Sequence, residues 1–559
     1  MSKKILTLLA MVLVLGLIVG CAAPAASPAP AAAEAKATEE PAHEEAPAAE
    51  AESAGSEKIL IGGFDVGPGG DPQGVLYNNG AGNTWFIKMY TPLINMTSDF
   101  KEHTSDGALA VSWEANEDAT VWTFHLREGV SWHDGEPFTA QDLKFTAELT
   151  SAPDAVVTRF AFITPANVVG WTEFNEGTAN GIVGVLAVDD TTLEIQLVAP
   201  NPRFYDEVRG FYALPEHAVD FAPSEFQSTD WWWTRAVGTG PFKLSAYEKD
   251  QFMELAPNEA YWDGAPKLDK LINRYFADET AAVLALQSGD IDFSYVSADV
   301  AARFEGNDDF AIYSGPSFVV NLFNFNYNHE VWNDIRVRQA FMYGIDRALI
   351  ISDVFNGTAQ ATPCNDPYPA FWPEDANYYE YNPDKARELL AEAAADGVSL
   401  EGLSFEIPTY YTSQLAKDIL TVIQANMADV GVEVVPTFLD VPTWRTVVDD
   451  SDDWDIAYRG YGAGPASIGT DWYTDESIWG LADDNYQGLV DAINTSFTPE
   501  EYRTARTALC AYQNEAATFA YFWVSTRYGI ASSDLVDFHY FPAPGGGPFV
   551  DNSHLWSVK

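Results

Sequence analysis

Apolar and polar positions along the chain alternate in some stretches and recur at helical spacing in others. Val121–Leu126 alternates as a half-buried strand does, and Thr139, with Asp142 three residues later, is typical of a capping box that opens a helix. Glu279–Ser288 has helical spacing, and Gly289 is the residue type that most often follows a helix C-terminus. The pattern therefore predicts a chain that mixes helices and strands.

The clearest pattern lies between Leu403 and Arg459, where short connections separate alternating strands and helices. In order, the predicted strand, helix, strand, helix and strand are Leu403–Pro408, Ser413–Val430, Val432–Phe438, Pro442–Val448 and Asp455–Arg459. This order predicts parallel strands joined by right-handed crossovers. Ligands of such sheets bind beyond the carboxyl ends of the strands, so the glycine-rich loop predicted at residues 460–464 is a candidate binding segment.

The beginning of the chain is typical of an export signal. Lys3 and Lys4 precede the apolar run Ile5–Val19, which is shorter than the roughly 20 residues of a membrane-spanning helix. The run ends in Ile-Val-Gly-Cys, which resembles the lipobox of bacterial lipoproteins, so Cys21 is predicted to become a lipid-bearing N-terminus. Residues 22–57 consist mainly of Ala, Pro and Glu and are predicted to form a disordered tether.

The composition is strongly acidic. There are 82 Asp and Glu against 30 Lys and Arg, a formal charge of −52, which makes nucleic acid and anionic lipid surfaces unfavourable partners. The acids are spread over the whole chain, which favours solubility over a dedicated cation site. The His and Cys residues show no metal-ligand spacing, and we predict neither a metal nor another cofactor.

Two cysteines remain beside Cys21. Cys364 and Cys510 form an even pair in a chain predicted to reach an oxidising compartment, which favours a disulfide between them. Two separate buried thiols are the alternative.

Several further segments follow one another between residues 58 and 520. They are Leu109–Glu114, Trp122–Val130, Trp132–Asp142, Gly238–Phe242, Asn258–Trp262, Ala285–Asp292, Asp334–Ala340, Ile345–Arg347 and Tyr381–Ala386. In sequence and in order they resemble the solute-binding proteins of peptide, nickel and related ABC transporters, the bacterial extracellular family 5 type. His133 and Asp134 fall in one of these segments, and as neighbours in a turn they are interpreted as structural, not as a catalytic dyad.

The resemblance implies an α/β, bilobal periplasmic-binding-protein-like fold (class II, Venus flytrap) with an extra domain in the first lobe. The implied parts are a signal peptide 1–20, a tether 21–57, a first-lobe base domain 58–95, 236–315 and 517–559, an added domain 96–235, and a second lobe 316–516. A disulfide between the two remaining cysteines would then stiffen one lobe without locking the hinge. The implied protein is a receptor, not an enzyme, which delivers a solute to ABC permease subunits from the outer side of the cytoplasmic membrane.

The ligand class is left open between peptides, which we favour, and oligosaccharides. Peptide-binding members hold the peptide amino group with an aspartate in a second-lobe loop, whereas here no acid follows Tyr458 until Asp471. The 17 Trp favour sugar stacking as the alternative, although Trp231–Trp233 cannot all face one side of a strand. A secreted hydrolase is the alternative of another class, and it would need a nucleophile or paired acids that no motif supplies. The candidate ligand contacts are Phe64, Trp233, Tyr410, Arg459, Tyr461, Asp471 and Trp472.

Overall fold

A computed structural model describes residues 58–66, 88–97, 102–155, 168–226, 228–400, 404–449, 451, 453–462, 483–539 and 552–559. The predicted signal peptide, the tether with Cys21, and the candidates Asp471 and Trp472 lie outside these residues. In the part of the chain that is described, no helix is both long enough and apolar enough to cross a membrane.

The strands are numbered in chain order. They are β1 Ile59–Val66, β2 Asn95–Met96, β3 His103–Thr104, β4 Ala110–Ala115, β5 Val121–Leu126, β6 Val185–Asp189, β7 Thr192–Gln196, β8 Phe242–Glu248, β9 Phe252–Pro257, β10 Lys270–Phe276, β11 Phe293–Val296, β12 Phe310–Phe325, β13 Ala359–Ala361, β14 Ser404–Thr409, β15 Glu433–Phe438, β16 Ile456–Gly462, β17 Ala520–Ser532, β18 Leu535–Val536 and β19 Ser557–Val558.

Helices connect many of these strands. The α-helices are Ala140–Ser151, Trp171–Asn175, Phe204–Glu207, Trp231–Thr234, Glu279–Ser288, Ala298–Ala302, Ile335–Tyr343, Arg347–Leu349, Pro383–Ala395, Gln414–Asp429, Val441–Val448, Asp484–Asn494 and Pro499–Glu515.

An 11-stranded sheet runs through the structure in the order β15-β14-β16-β12-β17-β11-β1-β10-β9-β8, with β13 added beside β17. The long strands β12 and β17 are antiparallel neighbours at its centre, and both continue from one half of the sheet into the other. Their register shifts between Pro316 and Val320, where Phe318 has a φ of 53°. Proline lacks an N–H for the ladder, so a break in pairing is expected there.

The buried apolar side chains divide into separate clusters on the two sides of these central strands. The largest cluster lies within Val320–Val524. Another combines residues from Leu60 to Tyr295 with Ala531 and Trp556, and a third, within Leu93–Ala213, packs around the four-stranded sheet β4-β5-β7-β6. Bodies with separate cores on either side of two shared strands make the bilobal fold that the sequence predicts.

Most elements that were predicted from local sequence patterns are found in the structure. The helix after Thr139 begins at Ala140, and Asp142 Oδ2 accepts a hydrogen bond from the Thr139 N–H at 2.9 Å. Gly289 ends its helix with a φ of 78°. The predicted alternation between residues 403 and 459 is also confirmed, because β14 pairs parallel with both β15 and β16.

Two local details differ from the geometry considered in the sequence analysis. Trp231–Thr234 forms one helical turn, so the strand alternation considered for its tryptophans does not apply, and Trp231 and Trp232 are buried while Trp233 is half-buried. The third strand of the alternating segment continues to Gly462, so the first part of the predicted loop is strand. Because this strand pairs with Val319–Phe325 of β12, it continues past the glycine at which the loop was expected to begin.

His133 is held between two backbone segments. Its Nδ1 accepts a hydrogen bond from the Gly238 N–H at 3.0 Å, and its Nε2 lies 3.0 Å from the Gly240 carbonyl oxygen. This arrangement fits the neutral ring with the proton on Nε2. Asp134 instead accepts from His217 Nε2 at 2.8 Å, and no hydrogen bond joins His133 and Asp134 within the described residues. Burial lowers the pKa of His133 to about 4.

We expect stability to fall between about pH 6.5 and 4 because of His133. Below pH 6.5 the unfolded state takes up a proton that the folded ring refuses, so acid favours unfolding. His133 is half-buried, so solvent screening reduces the stability change that its pKa shift alone would give. We expect the free energy of unfolding to fall by about 2 kcal/mol. Urea unfolding at several pH values should show a shallower dependence in His133→Gln. His125→Gln, at a half-exposed ring, is the matched control, and equal slopes in all three proteins would contradict the assignment.

Candidate functional site

The carboxyl ends of β14 and β16 meet at one edge of the second-lobe part of the sheet. Thr409, the last residue of β14, pairs with Tyr458 of β16. The Thr409 hydroxyl accepts a hydrogen bond from the Tyr411 N–H at 3.1 Å, which turns the chain sharply at the strand end. Two consecutive tyrosines are thereby placed at the position where ligands of parallel sheets bind.

Four aromatic side chains, Tyr410, Tyr411, Trp444 and Tyr458, form a group that we call the tyrosine cluster. The ring centres of Tyr410 lie 4.7 Å from Tyr411 and 5.0 Å from Trp444. Tyr411 lies 5.3 Å from Tyr458, edge to face. Trp444 is buried and donates from Nε1 to the Pro408 carbonyl oxygen at 3.2 Å, which fixes its ring. Tyr410 and Tyr411 are half-buried and form the outer layer.

Gly460 allows the tyrosine cluster to contact the backbone of β16. The Gly460 N–H donates to Tyr410 Oη at 3.2 Å, and the same hydroxyl lies 3.4 Å from the Gly460 carbonyl oxygen. A β-carbon at this position would lie 2.1 Å from Tyr411 Oη and 2.6 Å from Val319 Cγ1. A side chain is therefore excluded here, and the rigid backbone and the tyrosine hydroxyls form one surface.

The hydroxyls of Tyr411 and Tyr458 remain protonated under ordinary conditions. Burial raises the pKa of Tyr411 and of Tyr458 well above the usual tyrosine range. Neutral phenols donate and accept hydrogen bonds, and their ring faces offer apolar contact. The cluster is thus suited to binding a neutral polar backbone or a flat ring, and it offers no acid or base for catalysis.

Three of the sequence candidates, Tyr410, Arg459 and Tyr461, lie in this region of the structure at different depths. Arg459 is 4% exposed, and its guanidinium lies 5.3 Å from the Trp444 ring, behind the outer tyrosines. Tyr461 is half-buried on β16 opposite Val320. Arg459 therefore supports the cluster from within.

The other sequence candidates lie elsewhere or outside the described residues. Trp233 packs in the first lobe, with its ring 6.4 Å from that of Tyr247. Phe64 lies on β1, and its side chain is not among the described ones. Asp471 and Trp472 lie outside the described residues. Their roles as ligand contacts stay predictions.

Sequence reasoning missed a group of residues where the lobes meet. Tyr368, from the second-lobe segment before helix Pro383–Ala395, has its ring 5.6 Å from Phe318 of β12. Both rings pack against the first-lobe cluster that contains Tyr295, and the Arg527 guanidinium lies 3.6 Å from the Tyr295 ring centre. The Gly315-Pro316 pair inside an apolar stretch was an available signal, since proline marks irregular strand pairing.

The lobes also touch at two places away from the central strands. The guanidinium of Arg203, in the added part of the first lobe, lies 3.6 Å from the ring centre of Tyr502 in the second. Asn356 Nδ2 donates to Asp299 Oδ1 at 2.5 Å. These contacts join the two bodies directly.

Helix Pro499–Glu515 is anchored in the second lobe by the segment around Cys364. The structure joins Cys364 and Cys510 in a disulfide, 146 residues apart in sequence. Arg506 Nη2 lies 2.6 Å from Asp366 Oδ2, and both side chains are 2% exposed. Phe371 covers the guanidinium at 3.5 Å from its ring centre. A covalent bond and a buried ion pair thus hold one loop against one helix.

No group of three or more His, Cys, Asp or Glu side chains is placed to hold a metal ion within the described ranges.

Comparison with known proteins places the chain in a family. The family model described as bacterial extracellular solute-binding proteins, family 5 Middle, matches residues 106–477, more than half of the chain. A Brucella melitensis protein that carries the name of an ABC transporter peptide-binding protein is 35% identical over 526 residues, covering 91% of this chain and 95% of the relative. The dipeptide-binding protein of Escherichia coli is 29% identical over 381 residues, 65% of this chain and 69% of the relative.

Solved structures share the fold at lower identity. Lactococcal OppA, in the closed conformation with an endogenous peptide, gives a TM-score of 0.77 at 19% identity, covering 89% of this chain and all of the other. AppA of Bacillus subtilis in complex with a nonapeptide gives 0.74 at 20% identity, covering 90% and 99%. With the family match over residues 106–477, the chain belongs to family 5 of the bacterial extracellular solute-binding proteins.

Proposed function

We propose that this protein is the extracytoplasmic receptor of an ABC importer, which captures peptides or peptide-like solutes and delivers them to membrane permease subunits. The tyrosine cluster carries this proposal, because it lies at the carboxyl ends of parallel strands and offers neutral hydroxyls and ring faces held against the Gly460 backbone. A peptide presents amide groups for the former and side chains for the latter. The peptide-binding names of relatives such as the 35% identical Brucella protein support peptides over oligosaccharides.

The proposed parts of the chain are those implied by the family resemblance. The base domain would comprise 58–95, 236–315 and 517–559, the added domain 96–235, and the second lobe 316–516. The separate apolar clusters support these boundaries in part, because buried residues within 517–524 still belong to the second-lobe cluster and several within 149–232 belong to the first-lobe cluster. The central strands β12 and β17 would then act as the hinge, with the register shift at Pro316 as its most deformable point.

Capture by lobe closure requires contacts that the solute makes only in the closed state. A solute with equal affinity for the open and the closed state does not change the equilibrium between them. In this proposal, the tyrosine cluster contributes the second-lobe side of those contacts. The first-lobe side would come from residues near Tyr295, which belongs to the first-lobe apolar cluster.

The proposed location is the outer side of the cytoplasmic membrane. Cys21 would carry the lipid and residues 22–57 would form the tether, as the lipobox-like sequence predicts. The disulfide Cys364–Cys510 suits an oxidising compartment outside the cytoplasm. Labelling with a lipid precursor, lost in Cys21→Ser, would test the anchor.

Ligand screening of the tether-free protein tests the proposed solute class. We expect a random tetrapeptide pool, and not a set of maltose- or cellulose-derived oligosaccharides, to raise the melting temperature. Tyr410→Ala should weaken peptide binding about tenfold or more, because truncation of a central aromatic contact typically costs that much. Tyr410→Phe keeps the ring and removes the hydroxyl, so it distinguishes the contribution of each to peptide binding.

The matched control is Phe497→Ala, at an aromatic side chain that is 61% exposed in the second lobe. Its peptide affinity should equal that of the unaltered protein. Stabilisation by oligosaccharides alone would overturn the peptide assignment, and unchanged affinity in Tyr410→Ala would exclude the tyrosine cluster as the site.

A further inference from the structure

Arg203 and Tyr502 form a contact between the lobes that does not involve the central strands. The Arg203 guanidinium lies 3.6 Å from the centre of the Tyr502 ring. Arg203 directly precedes the helix Phe204–Glu207, and Phe204 is buried in the apolar cluster around the sheet β4-β5-β7-β6. Tyr502 lies on the helix Pro499–Glu515 and packs against the apolar cluster of the second lobe. The two side chains therefore belong to bodies with separate cores, and each moves with its own body.

Local contacts hold Arg203 in position within the first lobe. Its backbone N–H donates to Asn201 Oδ1 at 3.0 Å, and its guanidinium forms an ion pair with Asp206, three residues further along the chain. Asp206 Oδ1 also lies 3.0 Å from His103 Nε2. The side chains of Arg203 and Asp206 are 14% and 7% exposed. Because Asp206 neutralises the charge, Arg203 can be covered by an aromatic ring without becoming an unpaired buried cation.

The Tyr502 ring is held by residues of the second lobe. Its centre lies 6.2 Å from that of the Phe371 ring, and its hydroxyl accepts a hydrogen bond from Arg506 Nη1 at 3.4 Å. Arg506 is in turn fixed by its buried ion pair with Asp366. The ring that meets Arg203 is thus positioned by its own lobe, so forming the contact orders few additional side chains.

The contact depends on how the two lobes are arranged. Neither Arg203 nor Tyr502 lies on β12 or β17, and neither belongs to the tyrosine cluster. In the proposed hinge motion, a rotation about the central strands moves the two side chains relative to each other. The contact is therefore made where the lobes touch and is lost when they separate. A contact that exists in one of two states stabilises that state.

We propose that Arg203 and Tyr502 form a latch that stabilises the closed receptor without contacting the solute. The proposal rests on the proposed peptide receptor and goes beyond it by giving the added domain a role in affinity. A cation beside an aromatic ring, largely removed from water, shifts an equilibrium by about 3- to 30-fold. In a receptor that is mainly open when free, the latch raises the affinity for every solute by this same factor.

Titration with a random tetrapeptide pool tests the latch, and native mass spectrometry of the same samples identifies the bound peptides by mass. Tyr502→Leu removes the ring, so we expect it to weaken binding of the pool about 3- to 30-fold. The mass distribution of the bound peptides should not change, because the latch acts on all of them alike. Tyr502→Phe keeps the ring and should bind the pool as the unaltered protein does.

The first-lobe partner gives an independent test. Arg203→Gln should weaken binding by a factor similar to that of Tyr502→Leu, and the double variant by no more than either change alone, because both remove one contact. Arg235→Gln is the matched control. Arg235 is also an added-domain arginine with aspartate partners, but it is 52% exposed, and its variant should bind normally. If Arg203→Gln fails to fold because Asp206 loses its partner, the two Tyr502 variants decide.

The contrary outcomes are distinct from one another. Unchanged affinity in Tyr502→Leu overturns the latch and leaves the peptide receptor standing. A changed set of bound peptides also overturns it, because the altered side chain would then contact the solute. Equal weakening in Tyr502→Phe and Tyr502→Leu assigns the effect to the hydroxyl and not to the cation beside the ring. Binding of no peptide by the unaltered protein overturns the peptide receptor as well.

Discussion

Replacement of Arg506 by methionine is expected to lower the free energy of unfolding by about 3–5 kcal/mol, because it leaves a buried carboxylate without its partner. Asp366 is 2% exposed, and Arg506 donates to it from both Nε and Nη2, at 2.9 and 2.6 Å. Methionine keeps part of the apolar contact with Phe371, so the loss reports mainly on the charge. Denaturant unfolding followed by tryptophan fluorescence measures it.

The double variant Asp366→Asn/Arg506→Met should recover much of this loss in stability, since burial of an uncharged amide costs less free energy than burial of an unpaired carboxylate. Asn also keeps the hydrogen bond that Asp366 Oδ1 accepts from the Tyr368 N–H. Lys385→Met, at an ion pair whose partners are 40% and 57% exposed, is the surface control and should cost less than about 1 kcal/mol. A similar small cost for Arg506→Met would show that the pair is not buried in solution.

Loss of the Cys364–Cys510 disulfide is expected to lower stability by up to about 5 kcal/mol. The bond closes a loop across 146 residues, and on the chain-entropy account a loop of this length restricts the unfolded state by about that amount. Oxidised and reduced protein, compared by denaturant unfolding, give the difference directly. Mass spectrometry after alkylation of free thiols establishes which form is present.

The variant Cys364→Ser/Cys510→Ser serves as the control for reductant. Its stability should match that of the reduced protein and should not respond to dithiothreitol. Identical unfolding of oxidised and reduced protein would contradict the expectation, and two alkylated cysteines in untreated protein would show the separate thiols that the sequence left as an alternative.

Elements with local signals were predictable from the sequence. The capping box at Thr139 and the glycine after the helix Glu279–Ser288 involve residues within a few positions of each other, so the sequence contains the whole interaction. The helical turn Trp231–Thr234 was not predicted, for the opposite reason. Three bulky apolar residues suit a buried strand or a buried helical turn alike, and the Trp231 and Trp232 contacts with Phe221 and Phe226 decide between them.

The candidate site was predictable in part. Tyr410 and Tyr461 follow from the rule that ligands bind beyond the carboxyl ends of parallel strands. Trp444 and Tyr458 complete the cluster from a helix and a strand whose distance from Tyr410 depends on sheet order. Arg527 lies more than 200 residues from Tyr295 in sequence, and no local pattern connects them. Only the pairing of β11 with β17 brings the two side chains together.

The sheet also constrains the order in which the chain can become structured. Synthesis and export release the N-terminus first. The second-lobe cluster is contiguous and ends at Val524, whereas the first-lobe cluster joins Leu60 to Trp556, which is 1% exposed three residues from the C-terminus. The lobe that begins first is therefore completed last. Until residues 528–531 of β17 are synthesised, the edge of β11 opposite β1 has no partner strand and is open to other chains. A periplasmic or cell-surface chaperone would bind the protein in this period.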